Sequence, residues 1–154
     1  MLKSLLTITL ALCCILTYSQ PSLKESIDLL GKSNIEVQEF LNKKGYGFQR
    51  QSGLLYYYVH WDNAGPFNIS ANYDKKKLTN LVVDFHSLMY NNLISQFITN
   101  GYEYQPVGDQ PDQPYPMPGT IWRFKNKGNK LTCFLICPAD FDETNVVQLQ
   151  VSTL

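Results

Sequence analysis

The chain has 154 residues, of which 44% are hydrophobic and 17% charged, with 13 basic and 13 acidic side chains. This size fits one domain after a leader is removed, and the apolar content is too high for a disordered chain. A formal net charge of zero excludes the basic face that nucleic-acid binding requires, and it weakens a role on an anionic membrane surface.

Residues 1–19 have the pattern of an export signal. Lys3 supplies the positive start, residues 5–16 are apolar, and Thr17 and Ser19 are the small residues that precede a cleavage site. We therefore expect a signal peptide that is cleaved after Ser19, and export of the mature chain to the periplasm or the medium.

Two alternatives to a cleaved leader stay open. The first is an uncleaved N-terminal anchor, and the second is lipidation at Cys13 or Cys14. The apolar stretch is shorter than the ~20 residues that a membrane-spanning helix needs. We therefore expect the mature chain not to span a membrane.

The mature chain is predicted to open with two helices. Residues 23–30 repeat apolar side chains at helical spacing and stop at Gly31. Ser33 and Glu36 form a capping-box pattern that starts a second helix, and a Lys-Lys-Gly sequence at 43–45 ends it. The sequence thus begins as helix–turn–helix.

From residue 46 the apolar period changes to two. Four strands are predicted, at 46–50, 54–61, 67–73 and 77–85, with connections short enough for antiparallel hairpins. Apolar and polar side chains alternate strictly in the third of these strands. This alternation predicts a sheet with one buried and one solvated face.

The second half of the chain repeats this order of elements. A helix is predicted at 87–100, followed by strands at 102–105, 120–126, 130–137 and 146–151. Residues 40–49 match residues 97–105 with one deletion, and Phe, Gly, Tyr and Gln are shared. The recurring order favours tandem duplication of a helix(-helix)-βββ(β) unit, with repeats at 22–86 and 87–154.

These elements define the predicted fold class. It is α+β: a single domain at 20–154 in which helices pack on one face of an antiparallel sheet. A proline-rich loop at 106–118 holds five of the eight prolines, so it cannot be a central strand. The loop is either a preformed contact ridge that displays Tyr115 and Met117 or a solvated connector.

Cleavage would leave two cysteines, Cys133 and Cys137, in one predicted strand. Positions four apart in a regular strand are about 13 Å apart, which is too far for a disulfide. We expect buried thiols, with a disulfide at a strand break near Pro138 as the alternative. A C-x3-C pair without a nearby histidine makes no metal site, so no metal or cofactor is predicted.

Candidates for catalysis are few. No phosphate-binding loop, nucleophile elbow or dinucleotide turn occurs in the sequence. His60 with Asp62, and His86 with Asp84, each place an imidazole and a carboxylate two residues apart on a strand, where the carboxylate could orient a general base. No nucleophile accompanies either pair. We therefore expect no enzyme, and a small hydrolase using His60 or His86 is the least favoured function.

Residues 54–61 read Leu-Leu-Tyr-Tyr-Tyr-Val-His-Trp and form the most unusual stretch. With period two, this strand and the strand at 120–126 each divide into an inward and an outward set. We expect the inward set to be Tyr56, Tyr58, Trp122 and Phe124, and the outward set on the open face to be Tyr57, Trp61, Arg123 and Lys125. Outward rings either bind a partner or only cover their cross-strand neighbours.

In element order alone the chain resembles exported helix–turn–helix plus four-strand modules of the β-lactamase-inhibitor-protein type. It is similar in part to small outer-membrane assembly lipoproteins with two helices and three strands. The resemblance implies binding rather than catalysis. We therefore expect an inhibitor-like protein or envelope adaptor that binds another exported or envelope protein through the open face and the proline-rich loop. A glycan-binding module that uses the same rings is the alternative.

Overall fold

An eight-stranded antiparallel sheet forms the body of the fold. The computed structural model describes residues 20–62, 65–106, 121–126, 131–137 and 146–153. The strands are β1 (Gly47–Ser52), β2 (Leu55–Asp62), β3 (Gly65–Asp74), β4 (Lys77–His86), β5 (Glu103–Pro106), β6 (Ile121–Lys125), β7 (Leu131–Ile136) and β8 (Val146–Thr153). Their spatial order is β1-β2-β3-β4-β8-β7-β6-β5, so two four-strand meanders meet where β4 pairs with β8.

Three α-helices accompany the sheet: α1 (Leu23–Asp28), α2 (Asn34–Lys43) and α3 (Tyr90–Thr99). Ser22 and Ser33 cap α1 and α2 through complete capping boxes with Glu25 and Glu36, as the spacing at Ser33 predicts. A short 3-10 turn, Ser87–Met89, replaces the first turn of the predicted third helix. The α+β class is confirmed, with three helices and eight strands in the described residues.

All three α-helices pack against the same face of the sheet, here called the covered face. Leu23, Leu41 and Phe97 are at most 1% exposed, and they join one buried cluster with the inward residues of the strands. The ring of Phe97 stacks on that of Phe124 with centroids 3.8 Å apart. The described helices leave the opposite face uncovered, and we call it the open face.

The ends of α2 and α3 have the same hydrogen-bonded geometry. Gly45 (φ 84°) and Gly101 (φ 73°) follow them in the left-handed region, where a side chain would be strained. The next N–H groups, of Tyr46 and Tyr102, donate to the carbonyls of Leu41 and Phe97. Leu41 and Phe97 therefore hold equivalent positions at these two helix ends, whereas the match of residues 40–49 with 97–105 pairs Phe40 with Phe97.

The two edge strands are poorly suited to pairing with another sheet. In β1 all six residues are exposed, but a bulge lies between Phe48 and Arg50 and a charge stands beside it. At the other edge β5 has four residues and ends at Pro106, which lacks an N–H. Bulges, charges, short strands and proline are devices that discourage edge-to-edge aggregation. Neither edge is therefore suited to pairing, and among the described residues the open face is the broad surface that no helix covers.

Candidate binding surface

The register of the strands fixes which side chains belong to the open face, because directly paired residues in antiparallel strands share a face. One row of paired residues runs across six strands from β2 to β6. It consists of Tyr57, Ser70, Val82, Gln150, Phe134 and Arg123. Arg50 of β1 pairs with Tyr57 and extends the row to that edge.

The structure places all four sheet residues of the predicted surface on the open face. Trp61 and Lys125 are exposed, whereas Tyr57 and Arg123 are partly buried. Their inward neighbours Tyr58, Trp122 and Phe124 are buried in the core, and Tyr56 packs against it. A binding role for the outward residues stays a prediction.

These outward residues do not form one compact site. Tyr57 and Arg123 are separated by five strand spacings along the same row. At about 4.8 Å for each spacing, their strands lie about 24 Å apart. The aromatic pair Tyr57 and Trp61 therefore occupies one end of the open face, and the basic pair Arg123 and Lys125 occupies the other.

The two aromatic residues differ in availability. The Trp61 side chain is 66% exposed, one of the most exposed large apolar side chains in the described residues. The guanidinium carbon of Arg50 lies 4.6 Å from the centre of the Tyr57 ring, in cation–π geometry. Tyr57 thus already covers a cross-strand neighbour. The pairing of β1 with β2 brings Arg50 next to Tyr57, and the pattern within one strand does not reveal that pairing. Arg50 was therefore not among the predicted binding residues.

The middle of the open face is polar and almost uncharged. A central strip of nine residues on β3, β4 and β8 contains one apolar side chain, Val82. The other eight are Asn68, Ser70, Asn72, Asn80, Asp84, Gln148, Gln150 and Ser152. Amides and hydroxyls both donate and accept hydrogen bonds, so the strip suits a ligand that offers the same groups.

Asp84 is the only charge in the central strip, and neighbouring amides hold it. One carboxylate oxygen accepts bonds from the backbone N–H of Asn68 at 3.2 Å and from its side-chain amide at 3.1 Å. The other oxygen accepts from Gln148 Nε2 at 2.9 Å. The side chain of Asp84 is buried although it lies on the open face. These contacts give Asp84 a structural role in joining β3, β4 and β8.

The two histidine–carboxylate pairs do not assemble into one site. His60 belongs to the covered face, and its Nδ1 lies 3.0 Å from the carbonyl oxygen of Gly45. Asp84 lies on the open face and is bonded to Asn68 and Gln148. The ring of His86 lies 6.4 Å from that of Phe67. By register His60 and Asp62 share the covered face, whereas Asp84 and His86 share the open face, so the sheet separates one pair from the other.

A shallow pocket of about 200 Å³ lies on the helix side of the described residues. It lies where α1 approaches the end of α3 and the end of β6. Its lining consists of Leu23, Lys24, Ile27, Asn100, Tyr102 and Asn126. It contains none of the residues predicted for binding or catalysis, so it does not join them into a site.

Cys133 and Cys137 are both buried thiols, as predicted. Burial raises the pKa of the Cys133 thiol to about 12, which keeps it protonated and unreactive. Within the described parts of the chain, no cluster of three or more histidine, cysteine or acidic residues could hold a metal ion.

Some predicted features lie outside the described residues. These are Tyr115 and Met117, most of the proline-rich loop and the whole leader. The described flanks of the loop are Pro106, which ends β5, and Ile121, which begins β6. No helix within the described ranges combines the length and the apolar character of a membrane span.

The chain was compared with protein-family models, with curated proteins and with solved structures, and none of them matches it.

Proposed function

We propose that the chain is an exported, non-catalytic binding protein that recognises a protein partner through its open face. One observation carries the proposal: helices cover one side of an eight-stranded sheet and leave on the other side a broad surface that includes the exposed ring of Trp61.

The size of the open face suits a protein. Eight strands span seven spacings, or about 34 Å, and the rows from Trp61 to Lys125 span about 20 Å along the strands. The resulting area is roughly 700 Å², close to the ~800 Å² that each partner buries in a standard interface.

The composition of the two ends also suits a protein partner. Tryptophan, tyrosine and arginine carry much of the energy in protein interfaces, and the open face bears Trp61, Tyr57 and Arg123. At the β6 end, Arg123 and Lys125 share the open face with Glu103 of β5, which pairs with Lys125, so charges of both signs are available to a partner. The exported compartment makes this partner another secreted or envelope protein.

We further propose that the domain arose by duplication of a helix-plus-four-strand unit. The symmetric strand order around the β4–β8 pair supports this, as does the similar end geometry of α2 and α3. A glycine followed by a residue that packs back on the helix is also what this type of helix end requires. The shared Gly and Tyr are therefore weaker evidence for duplication than the order of the strands is.

The proposal is tested with a partner captured by the mature protein from an envelope or medium extract, then purified. Trp61→Ala is expected to weaken its binding at least tenfold, because a buried tryptophan anchor contributes ~2 kcal/mol or more. Ile98→Ala is the matched control, since Ile98 is 60% exposed but lies on α3. If the wild type and the Trp61 variant bound the partner with equal affinity, the proposal that the open face binds the partner would be wrong.

The central strip favours a second candidate, a neutral glycan. Interfaces between proteins usually have an apolar centre, whereas this strip offers amides and hydroxyls beside aromatic side chains. Trp61 is exposed and the other tryptophan, Trp122, is 2% exposed, so a sugar on the open face should change the emission of Trp61 alone. A titration with an oligosaccharide panel, repeated on Trp61→Phe, tests this. No response in the wild type would exclude stacking on Trp61.

A further inference from the structure

We propose that the exported protein begins at Gln20 and that this residue is closed into a pyroglutamate ring. The inference rests on the proposed export and adds a modification site at the new N-terminus. It does not depend on what the open face binds.

The packed fold starts immediately after Gln20. Pro21 is buried, and the next residue, Ser22, begins the capping box of α1. The Ser22 N–H donates to Glu25 Oε2 at 2.8 Å, and the Ser22 hydroxyl accepts from the Glu25 N–H at 3.2 Å. Removal of Ser22 would leave the first turn of α1 without its cap.

This N-terminal segment is tied to the rest of the domain at two further points. The Leu23 N–H donates to Gln96 Oε1 of α3 at 3.1 Å. Lys44, at the end of α2, bonds Glu25 Oε2 at 3.0 Å and lies 2.8 Å from its Oε1. Pro21 is therefore the buried start of a backbone that is hydrogen-bonded from Ser22 onward. A leader peptidase that preserves the fold must cut before Pro21.

The sequence selects the bond within that limit. Thr17 and Ser19 provide the small residues required before the cut, so cleavage falls between Ser19 and Gln20. Gln20 is then the one residue ahead of the anchored backbone, and it is partly exposed. Its side-chain amide and its newly freed α-amine belong to the same residue.

This arrangement permits an intramolecular cyclisation. The α-amine nitrogen attacks the side-chain carbonyl carbon, a C–N bond forms, and the bond to the side-chain nitrogen breaks. Ammonia takes up the proton released by the amine and leaves, so atoms and charges balance without an oxidant or other co-reactant. The product is a five-membered lactam with no positive charge at the N-terminus.

Loss of the α-amine affects how long the protein resists proteolysis outside the cell. Aminopeptidases require a free α-amine, and the lactam does not have one. The cap would protect the residues that hold α1 against α2 and α3. We expect the capped protein to resist stepwise trimming from its N-terminus longer than an uncapped variant.

The test is the intact mass of the mature protein after expression of the full chain in an exporting host. The expected mass is that of residues 20–154 less one ammonia, with the change mapped to Gln20 by peptide sequencing. Gln20→Asn is the matched control, because its side chain is one methylene shorter and cannot close a five-membered ring. That variant should retain its full mass.

Four outcomes overturn different statements. A free amine on Gln20 in the secreted wild type overturns the ring alone. A terminus at another residue overturns the cleavage site and the ring, and an intact precursor overturns export as well. A capped protein that binds no partner would overturn the proposed function and leave this inference standing.

Discussion

The two faces of the sheet use the same strands for opposite purposes. In β6, Phe124 is 1% exposed and stacks on Phe97, whereas its neighbour Lys125 is exposed on the other side. On the covered face, apolar side chains from helices and strands form one cluster. On the open face, Asp84 accepts hydrogen bonds from Asn68 and Gln148 of the neighbouring strands, and the Ser152 hydroxyl donates to the carbonyl of Thr132. The comparison teaches that the apolar packing is concentrated on one side of the sheet, and the proposed recognition would use the other side.

The largest effect should come from adjacent residues on opposite faces. Phe124→Ala is expected to lower the free energy of unfolding by about 4 kcal/mol, because it leaves a cavity under the Phe97 ring. Lys125→Ala should change it by less than about 0.5 kcal/mol. Urea unfolding followed by circular dichroism measures both values. Similar losses for the two variants would mean that the faces do not differ in this way.

Asp84 allows a finer comparison of the two faces, since its side chain is buried although it lies on the open face. Asp84→Asn replaces an acceptor oxygen by an N–H donor opposite groups that already donate, so we expect a loss of about 2 kcal/mol. Asp74→Asn, at an exposed strand end, is the control and should be nearly neutral. If both variants were neutral in urea unfolding, the amide contacts of Asp84 would not stabilise the open face.

A substitution at Tyr46 tests the covered face, and its expected effect on the free energy of unfolding is smaller. Its hydroxyl is buried without a hydrogen-bond partner among the described residues. Tyr46→Phe removes this group, so the free energy of unfolding should stay the same or rise by about 1 kcal/mol. A loss above 1 kcal/mol would show that the hydroxyl is bonded.

The same residue predicts an alkaline pH dependence. Burial raises the pKa of the Tyr46 phenol above its ordinary value, and the charges of Asp84 and Asp62 raise it further. Above about pH 10 the unfolded chain therefore loses a proton that the folded chain keeps, and stability falls as pH rises. Tyr46→Phe should reduce this decline by about 1.4 kcal/mol per pH unit. An identical decline in both proteins would contradict the raised pKa.

The elements of the fold were largely predictable because their signals are local. The Ser33–Glu36 spacing identified the start of α2, and the alternation in β3 identified its buried side. The 3-10 turn at Ser87–Met89 was missed, since the apolar pattern there also fits an α-helix. The letter match pairs Phe40 with Phe97, whereas the hydrogen bonds at the helix ends pair Leu41 with Phe97. Matching letters do not reveal which carbonyl accepts the bond that closes a helix end.

The candidate surface was predictable only in part. Period two assigned Trp61 and Lys125 to the open face, but it could not tell how far apart they would lie. The cation–π contact of Arg50 with Tyr57 and the bonds of Asp84 with Asn68 and Gln148 depend on strand register. Such pairings join residues distant in sequence, so a pattern within one strand does not contain them.

The sequence by itself determined where α2 starts and stops and which side of each strand is apolar, since caps and periodicity act over a few residues. The tertiary structure decided that β4 lies beside β8. That pairing merges the two meanders into one sheet and places a polar strip between the end that bears Tyr57 and Trp61 and the end that bears Arg123 and Lys125. The physical reason is that strand neighbours are chosen by burial of the shared apolar face over the whole domain, and no local signal encodes that choice.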